Sequence, residues 1–490
     1  MAGLKSLAKE TAIYGMSSIV GRFLNYLLVP LYTAKLSVES GGYGVITNIY
    51  SYVALLLVLL TYGMETSFFR FANKKDEDPA RVYSSILISV GSTSLLFVLM
   101  VLAFLPQVSS FIGYSSHPEY VGVMAACVAI DAFQTIPFAY LRYKKRPLKF
   151  AALKLLFIVL NIALNLAYFV LLPALYKSYP GVVGKIYDPG VGVGYAFFIN
   201  LFCTALITLF FRKELTGFKY VFDRRLMRRI LGYSWPILVL GIAGILNQTA
   251  DKILFPFIYT GSDATAQLGI YGAASKVAMI MAVITQAFRY AYEPFVFGKT
   301  ADRDNVATQA QAMKFFIIFT LLAFLAVVAY IDVLKYIIAP GYWSGLRVVP
   351  IVMAAEIMMG VYFNLSFWYK LTDRTIWGAV FSGIGCAVLV AVNVAFVPRY
   401  GYMACAWAGF AGYGTAMLLS YFVGQKYYPV AYPLKRIAGY VALAAAIFAI
   451  YTFVGFGNIY ADLLLRTALL CVFVAVVFKV EHFRLPGRRC

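Results

Sequence analysis

Arg22 is a guanidinium near the middle of an apolar stretch; with Ser18 four residues before it and Asn25 three after, it forms one polar stripe on a helix. A planar fork of donors suits two oxygens of a phosphate or pyrophosphate, and it suits equally a buried pair with an acid such as Asp131. Lys252 and Lys276 lie within later apolar stretches. Arg289 lies with Gln286 and Glu293 on a stripe that runs to the cytoplasmic end and reads as cavity wall or, in its lower part, as a solvated gate. With Arg22 these three bases make a cationic set that attracts anions. Uncharged polar groups accompany them: Asn25, Gln134, Asn161, Asn165, Gln248 and Gln286. Three carboxylates in apolar surroundings, Asp131, Asp251 and Glu356, are candidates for coupling to a proton or sodium ion. Asp251 shares a helix face with Asn247 and Gln248, and a fixed ion pair with a neighbouring base is an equal alternative for it. Lys154 shares a face with Asn161 and Asn165 and lies close enough to a helix end to reach the interface as well as a cavity.

The elements that must carry these groups are membrane helices. Of 490 residues, 62% are hydrophobic and only 13% charged, and the mean hydropathy is +0.79. Apolar stretches of about 20 residues, each able to cross a hydrocarbon core, recur along the whole chain. Runs such as Leu95–Leu105 lack the two-residue alternation of a barrel strand. The expectation is an all-α integral membrane protein with about fourteen spans. They fall near 11–35, 43–64, 82–105, 120–140, 151–173, 190–211, 234–258, 267–290, 314–335, 348–369, 376–397, 402–424, 436–453 and 461–479.

Net charge is +21, which in a soluble chain would suggest nucleic acid. Here Lys and Arg concentrate in loops on the N-terminal side of the membrane, above all Arg142–Lys149 and Arg212–Arg229, where the positive-inside bias and anionic headgroups account for them. Both termini are therefore expected in the cytoplasm, with no nucleic-acid partner. Phe222, Leu226 and Ile230 share a face, so the 213–233 segment reads as an interfacial helix lying on headgroups or as a topology anchor. Six cysteines lie singly, so neither a disulfide framework nor a metal site is indicated.

The halves of the chain repeat at a nearly constant offset. Leu28-Val29-Pro30 answers Leu254-Phe255-Pro256, an offset of 226, which pairs Asn25 with Asp251 and Arg22 with Gln248. Leu141-Arg142-Tyr143-Lys144 answers Phe367-Trp368-Tyr369-Lys370, with Asp131 near Glu356, and Asn165 answers Asn393. Six spans per repeat is an even number, so the halves enter the membrane in the same sense and are related by a pseudo-two-fold axis along its normal. The expected organisation is an N-lobe over 1–212, a cytoplasmic linker over 213–233, a C-lobe over 234–425, and a C-terminal helix pair with a basic tail over 426–490.

Gly21-Arg22 followed by Pro30, Gly63-Met64-Glu65 with Arg70, Tyr233-Ser234-Trp235-Pro236 leading to Asp251-Lys252, Ile270–Lys276, Glu293-Pro294, and Asn393 with Pro398–Tyr402 carry a resemblance over nearly the whole chain. The sequence resembles the multidrug/oligosaccharidyl-lipid/polysaccharide (MOP) exporter superfamily, in its polysaccharide-biosynthesis branch of O-antigen and capsule repeat-unit flippases. The resemblance implies a MATE-like fold and a bacterial inner-membrane transporter. It implies as substrate an undecaprenyl-pyrophosphate-linked oligosaccharide, moved from the cytoplasmic to the outer leaflet by alternating access.

Alternatives are a peptidoglycan lipid-precursor flippase and a drug or cation antiporter of the same superfamily. The cationic set argues against the antiporter, whose substrate wants acidic walls. Metalloprotease, hydrolase and nucleotide-binding motifs are absent in suitable contexts, and the two histidines, His117 and His482, lie at or beyond span ends. Neither an enzyme nor a cofactor is expected. A membrane polysaccharide polymerase, which would carry a large outside loop, is the distant alternative.

Overall fold

The computed structural model describes residues 26–298, 303–372 and 374–481, and within them the chain forms helices and turns without a strand. The expected first span is described only at its end, as α1 (Leu28–Lys35), so Arg22 and Asn25 lie outside the described residues. The following helices are α2 (Gly42–Thr61), α3 (Met64–Ala72), α4 (Pro79–Ala103), α5 (Pro118–Tyr143), α6 (Pro147–Leu166), α7 (Gly194–Leu209) and α8 (Arg224–Ile258). After them come α9 (Ala264–Ala278), α10 (Ile280–Gly298), α11 (Arg303–Ala329), α12 (Val349–Leu365), α13 (Ile376–Tyr400), α14 (Tyr402–Tyr427), α15 (Leu434–Phe453) and α16 (Ile459–Val480).

Helix is found at each expected span from the second to the fourteenth, the eighth being divided between α9 and α10. Among the described residues ten stretches are long and apolar enough to cross a membrane, or eleven if α9 and α10, bent by 42°, count as one. The chain is a multi-pass membrane protein. The bend is where the sequence suggested an uninterrupted eighth span: at Met279 the amide bonds back to the Lys276 carbonyl at 3.1 Å, a tight turn inserted into the helical ladder.

Two compact units divide the chain, one up to Gly272 and one from Ala273. In the first, Asp78 caps α4 by accepting from the Ala80 amide, with Pro79 supplying the pre-set backbone of a first helical residue. Asp223 caps α8 in the same way through the Leu226 amide. At that end Met64, Phe68, Tyr83 and Ile86 pack with Leu226 and Ile230, all at most 1% exposed. This corrects the expectation of a headgroup-facing stripe: Leu226 and Ile230 are core, and only Phe222 of the three is exposed. Ion pairs of Asp223 with Arg81 and of Arg229 with Glu77 pin the segment to the unit, so its apolar face is satisfied by protein and its basic face is left outward.

In the second unit α13 and α14 run together closely enough that a Cβ on Gly385 would stand 2.8 Å from the Gly412 carbonyl oxygen, and the converse holds for Gly412. Such contacts between small residues substitute for the hydrophobic effect that lipid withholds. The C-terminal pair is fastened to α11 at both ends. Lys314 and Glu481 form a buried ion pair at one end, and at the other Arg466 pairs with Asp332 at 2.8 Å while Tyr330 and Thr467 share a hydrogen bond. The counterpart asparagines of the repeat behave alike: Asn165 and Asn393 are fully buried, and each donates to the carbonyl four residues earlier.

Candidate functional site

Along α5, the residues Asp131, Gln134, Thr135, Phe138 and Arg142 fall at spacings of three, four, seven and eleven, which sets them on one helical face. On α6, Phe150, Lys154 and Phe157 do the same at four and seven. Together with Glu65 of α3 they line a cavity of about 410 Å³ inside the first unit. Its walls are aromatic and aliphatic, and its polar content is two acids, two bases, an amide and a hydroxyl.

The charges in this cavity are not equivalent. Arg142 is ion-paired with Glu65 and lies over the Phe69 ring at 5.0 Å, so its charge is neutralised where it sits. Asp131 accepts from the Thr204 hydroxyl at 3.2 Å, and the Cys127 thiol points at its other oxygen. Lys154 is exposed, and its ammonium lies 4.0 Å from the centre of the Phe138 ring. Among the described residues no carboxylate lies within ion-pair contact of it, and Asp131 attracts it from beyond that range. Gln134 lines the cavity, but its amide donates to the Thr204 carbonyl at 2.7 Å and the Thr208 hydroxyl at 2.8 Å, which ties α5 to α7.

The remaining expected residues of this unit sit elsewhere. Asn165 accepts from the Tyr32 hydroxyl at 2.7 Å and donates to Asn161, so these two asparagines form a buried seam that fastens α6 to α1. On α8, Asp251 is buried; it accepts from the Tyr271 hydroxyl at 2.6 Å and from the Lys252 ammonium at 3.0 Å. Lys252 also donates to the Gln248 carbonyl, and its own carbonyl accepts from Asn48, whose other side is held by the Tyr114 hydroxyl. The fixed-pair alternative for Asp251 describes this arrangement, while the Gln248 side chain is exposed.

In the second unit Arg289 is exposed over the Phe363 ring at 5.1 Å, and Lys276, Gln286 and Glu356 are half-buried. Among the described residues no group of three His, Cys, Asp or Glu is placed to hold a metal ion.

Sequence reasoning treated Glu65 and Arg142 as family and repeat markers and left Lys154 between an interface and a cavity. The spacing of Phe150, Lys154 and Phe157 on α6, matched to the Phe138 and Arg142 face of α5, was the available signal. It lacked only the knowledge of which faces meet.

With this geometry in place, comparisons with known proteins add a lineage. Residues 7–296 match the family described as "Polysaccharide biosynthesis protein". A relative from Haemophilus influenzae, "Lsg locus putative protein 1", is 21% identical over 351 residues, covering 68% of this chain and 77% of that protein. The fold is similar to that of "Lipid II flippase MurJ, inward closed conformation", with a TM-score of 0.73 at 12% identity, covering 97% of this chain and all of that one. It is also similar to an inward-facing multidrug resistance MATE family transporter of the MOP superfamily, with a TM-score of 0.65 at 14% identity over 85% of this chain and 94% of that one. At these identities the structural likeness establishes a MATE-like fold.

Proposed function

Because the chain belongs to the polysaccharide biosynthesis protein family of the MOP exporter superfamily, we propose that it flips an undecaprenyl-pyrophosphate-linked oligosaccharide from the cytoplasmic to the outer leaflet of a bacterial inner membrane. The transport is by alternating access, with both termini in the cytoplasm and the lobes at 1–212 and 234–425. The observation that carries this reading is the family match over residues 7–296, taken with a charged cavity built into helices that are otherwise apolar. Ionisable side chains at membrane depth are costly, and a fold that keeps them around an open cavity has a polar guest to accommodate there. Lipid-linked sugars are such guests: the tail stays in lipid while the anionic headgroup crosses.

The cationic residues Arg22, Lys252, Lys276 and Arg289 are assigned to headgroup contact, and Asp131, Asp251 and Glu356 to ion coupling. The pairing of Lys252 with Asp251 makes this couple the natural switch within the set, since an incoming anion and the carboxylate compete for one ammonium. No covalent chemistry is assigned to the chain.

A second reading is favoured by the near-complete overlay on the structure of a lipid II flippase: the substrate is then the peptidoglycan lipid precursor. One experiment separates the two. The gene is deleted or depleted, and the lipid-linked saccharides of the cytoplasmic leaflet are identified by mass spectrometry. Accumulation of a glycan repeat unit with loss of surface polysaccharide supports the first reading, and accumulation of the peptidoglycan precursor supports the second. If neither accumulates, both readings fall.

A further inference from the structure

Two bases on the apolar helices of the first unit, like several in its loops and helix ends, have carboxylate partners: Arg142 has Glu65 and Lys252 has Asp251. Among the described residues Lys154 has none in ion-pair contact; it is exposed and opens onto the 410 Å³ cavity, a size within the roughly 300–1,000 Å³ of small-molecule sites. Its ammonium rests on the Phe138 ring, whose quadrupole attracts a cation but offers no oxygen to its three donors. It stands seven residues into α6, about 10 Å along the axis from the end that carries the basic Arg142–Lys149 loop.

We propose that Lys154 is a further anion contact in the first unit, binding a phosphate oxygen of a lipid-linked phosphate or pyrophosphate in the cavity between α5 and α6. This assignment rests on the flippase reading and goes beyond it, since Lys154 is outside the cationic set that the sequence suggests. The other cavity charges fix how it works. Arg142 and Glu65 cancel, so the incoming phosphate meets one cation, Lys154, and one anion, Asp131. Asp131 pulls on the same ammonium and repels the guest, which keeps binding weak enough to be reversed when the substrate must leave. The two residues therefore act with opposite sign: removing the Lys154 charge weakens phosphate binding, and removing the Asp131 charge strengthens it. A purely structural role for either predicts no such opposition.

The test uses the purified full-length protein and three probes: undecaprenyl pyrophosphate, inorganic pyrophosphate and phosphatidylglycerol, with binding read by native mass spectrometry. Lys154→Ala is expected to weaken undecaprenyl pyrophosphate binding by about tenfold or more, the range of a lost charge-assisted hydrogen bond. Lys154→Arg is expected to retain most of it, and Asp131→Asn to tighten it, with phosphatidylglycerol unaffected in all three. Melting temperatures close to wild type qualify the variants as folded, and Asp131→Asn with Lys154→Arg carries the test if Lys154→Ala does not fold. Unchanged undecaprenyl pyrophosphate binding in Lys154→Ala overturns the assignment. So does an equal loss for phosphatidylglycerol, which would make the cavity a resident phospholipid site. Cells separate this from the parent reading: gene deletion that leaves surface glycan intact sinks the flippase proposal, whereas glycan lost on deletion but intact with Lys154→Ala sinks only the assignment of Lys154.

Discussion

Breaking the Lys314–Glu481 pair should loosen the C-terminal helices from α11, by an amount that depends on which partner is removed. Both side chains are almost wholly buried, at 4% and 5% exposed. Removing one partner of a buried pair leaves an uncompensated charge and is destabilising by about 3–5 kcal/mol. The surroundings rank the two halves. Without Lys314, Glu481 keeps the Tyr440 hydroxyl at 2.9 Å and Arg436 at 4.0 Å, so Lys314→Met belongs at the lower end. Without Glu481, the Lys314 ammonium is left over the Phe315 ring at 4.6 Å, so Glu481→Ala belongs at the upper end. For a unit of this size about 1 kcal/mol corresponds to roughly 2–4 °C, so losses of about 6 °C and upward are expected, larger for Glu481→Ala. Thermal unfolding of the detergent-purified protein, followed by size-exclusion fluorescence, measures this. The double variant Lys314→Met with Glu481→Leu should recover much of the loss, because two apolar groups replace two charges. Wild-type melting in both single variants, or a larger loss for Lys314→Met, would refute the reasoning.

Asp251→Asn keeps the Tyr271 contact but strips Lys252 of its counter-charge, so it should destabilise the protein, and Lys252→Met in the same background should restore stability; paired melting curves check this. Gly44→Leu should prevent stable folding, because even a Cβ there overlaps the Thr265 carbonyl where α2 meets the start of α9, and loss of a monodisperse peak reports it. Burial works to raise the Asp332 carboxyl, but hydrogen bonds and charge from Arg466 and Lys335 outweigh it and hold the pKa below the ordinary value. A depressed folded pKa stabilises above the unfolded value of about 3.9 and stops doing so as pH falls through the folded one. Asp332→Asn should therefore melt below wild type at pH 7, with the gap closing under acid, in melts run across pH.

How much of this was legible in the sequence follows from what periodicity encodes. Helices at the thirteen expected positions from the second onward were readable from apolar runs between charged loops, and among the described residues ten or eleven stretches have the length and apolarity of a membrane span. The face shared by Leu226 and Ile230 was readable too, yet an apolar stripe looks the same whether it meets lipid or Phe68 and Tyr83. The same limit governs the site. Depth in a span identified Lys252 and Asp251 as consequential but could not show that they neutralise each other. Lys154 was ambiguous for the converse reason: what distinguishes it is Phe138 beside it and, among the described residues, no carboxylate in contact, and both are facts of how α5 and α6 meet. The bend at Met279 carries no proline and left no local mark.

Reconstitution into vesicles gives the most direct test of the transport claim. An undecaprenyl-pyrophosphate-linked oligosaccharide is placed in both leaflets, and the fraction reachable by an external, membrane-impermeant sugar-oxidising or glycosidase reagent is followed with time. The account predicts that vesicles holding the protein expose the whole pool, while empty vesicles stop at the outer half. Equal exposure with and without the protein, across the substrate saccharides found to accumulate in deletion cells, would contradict it.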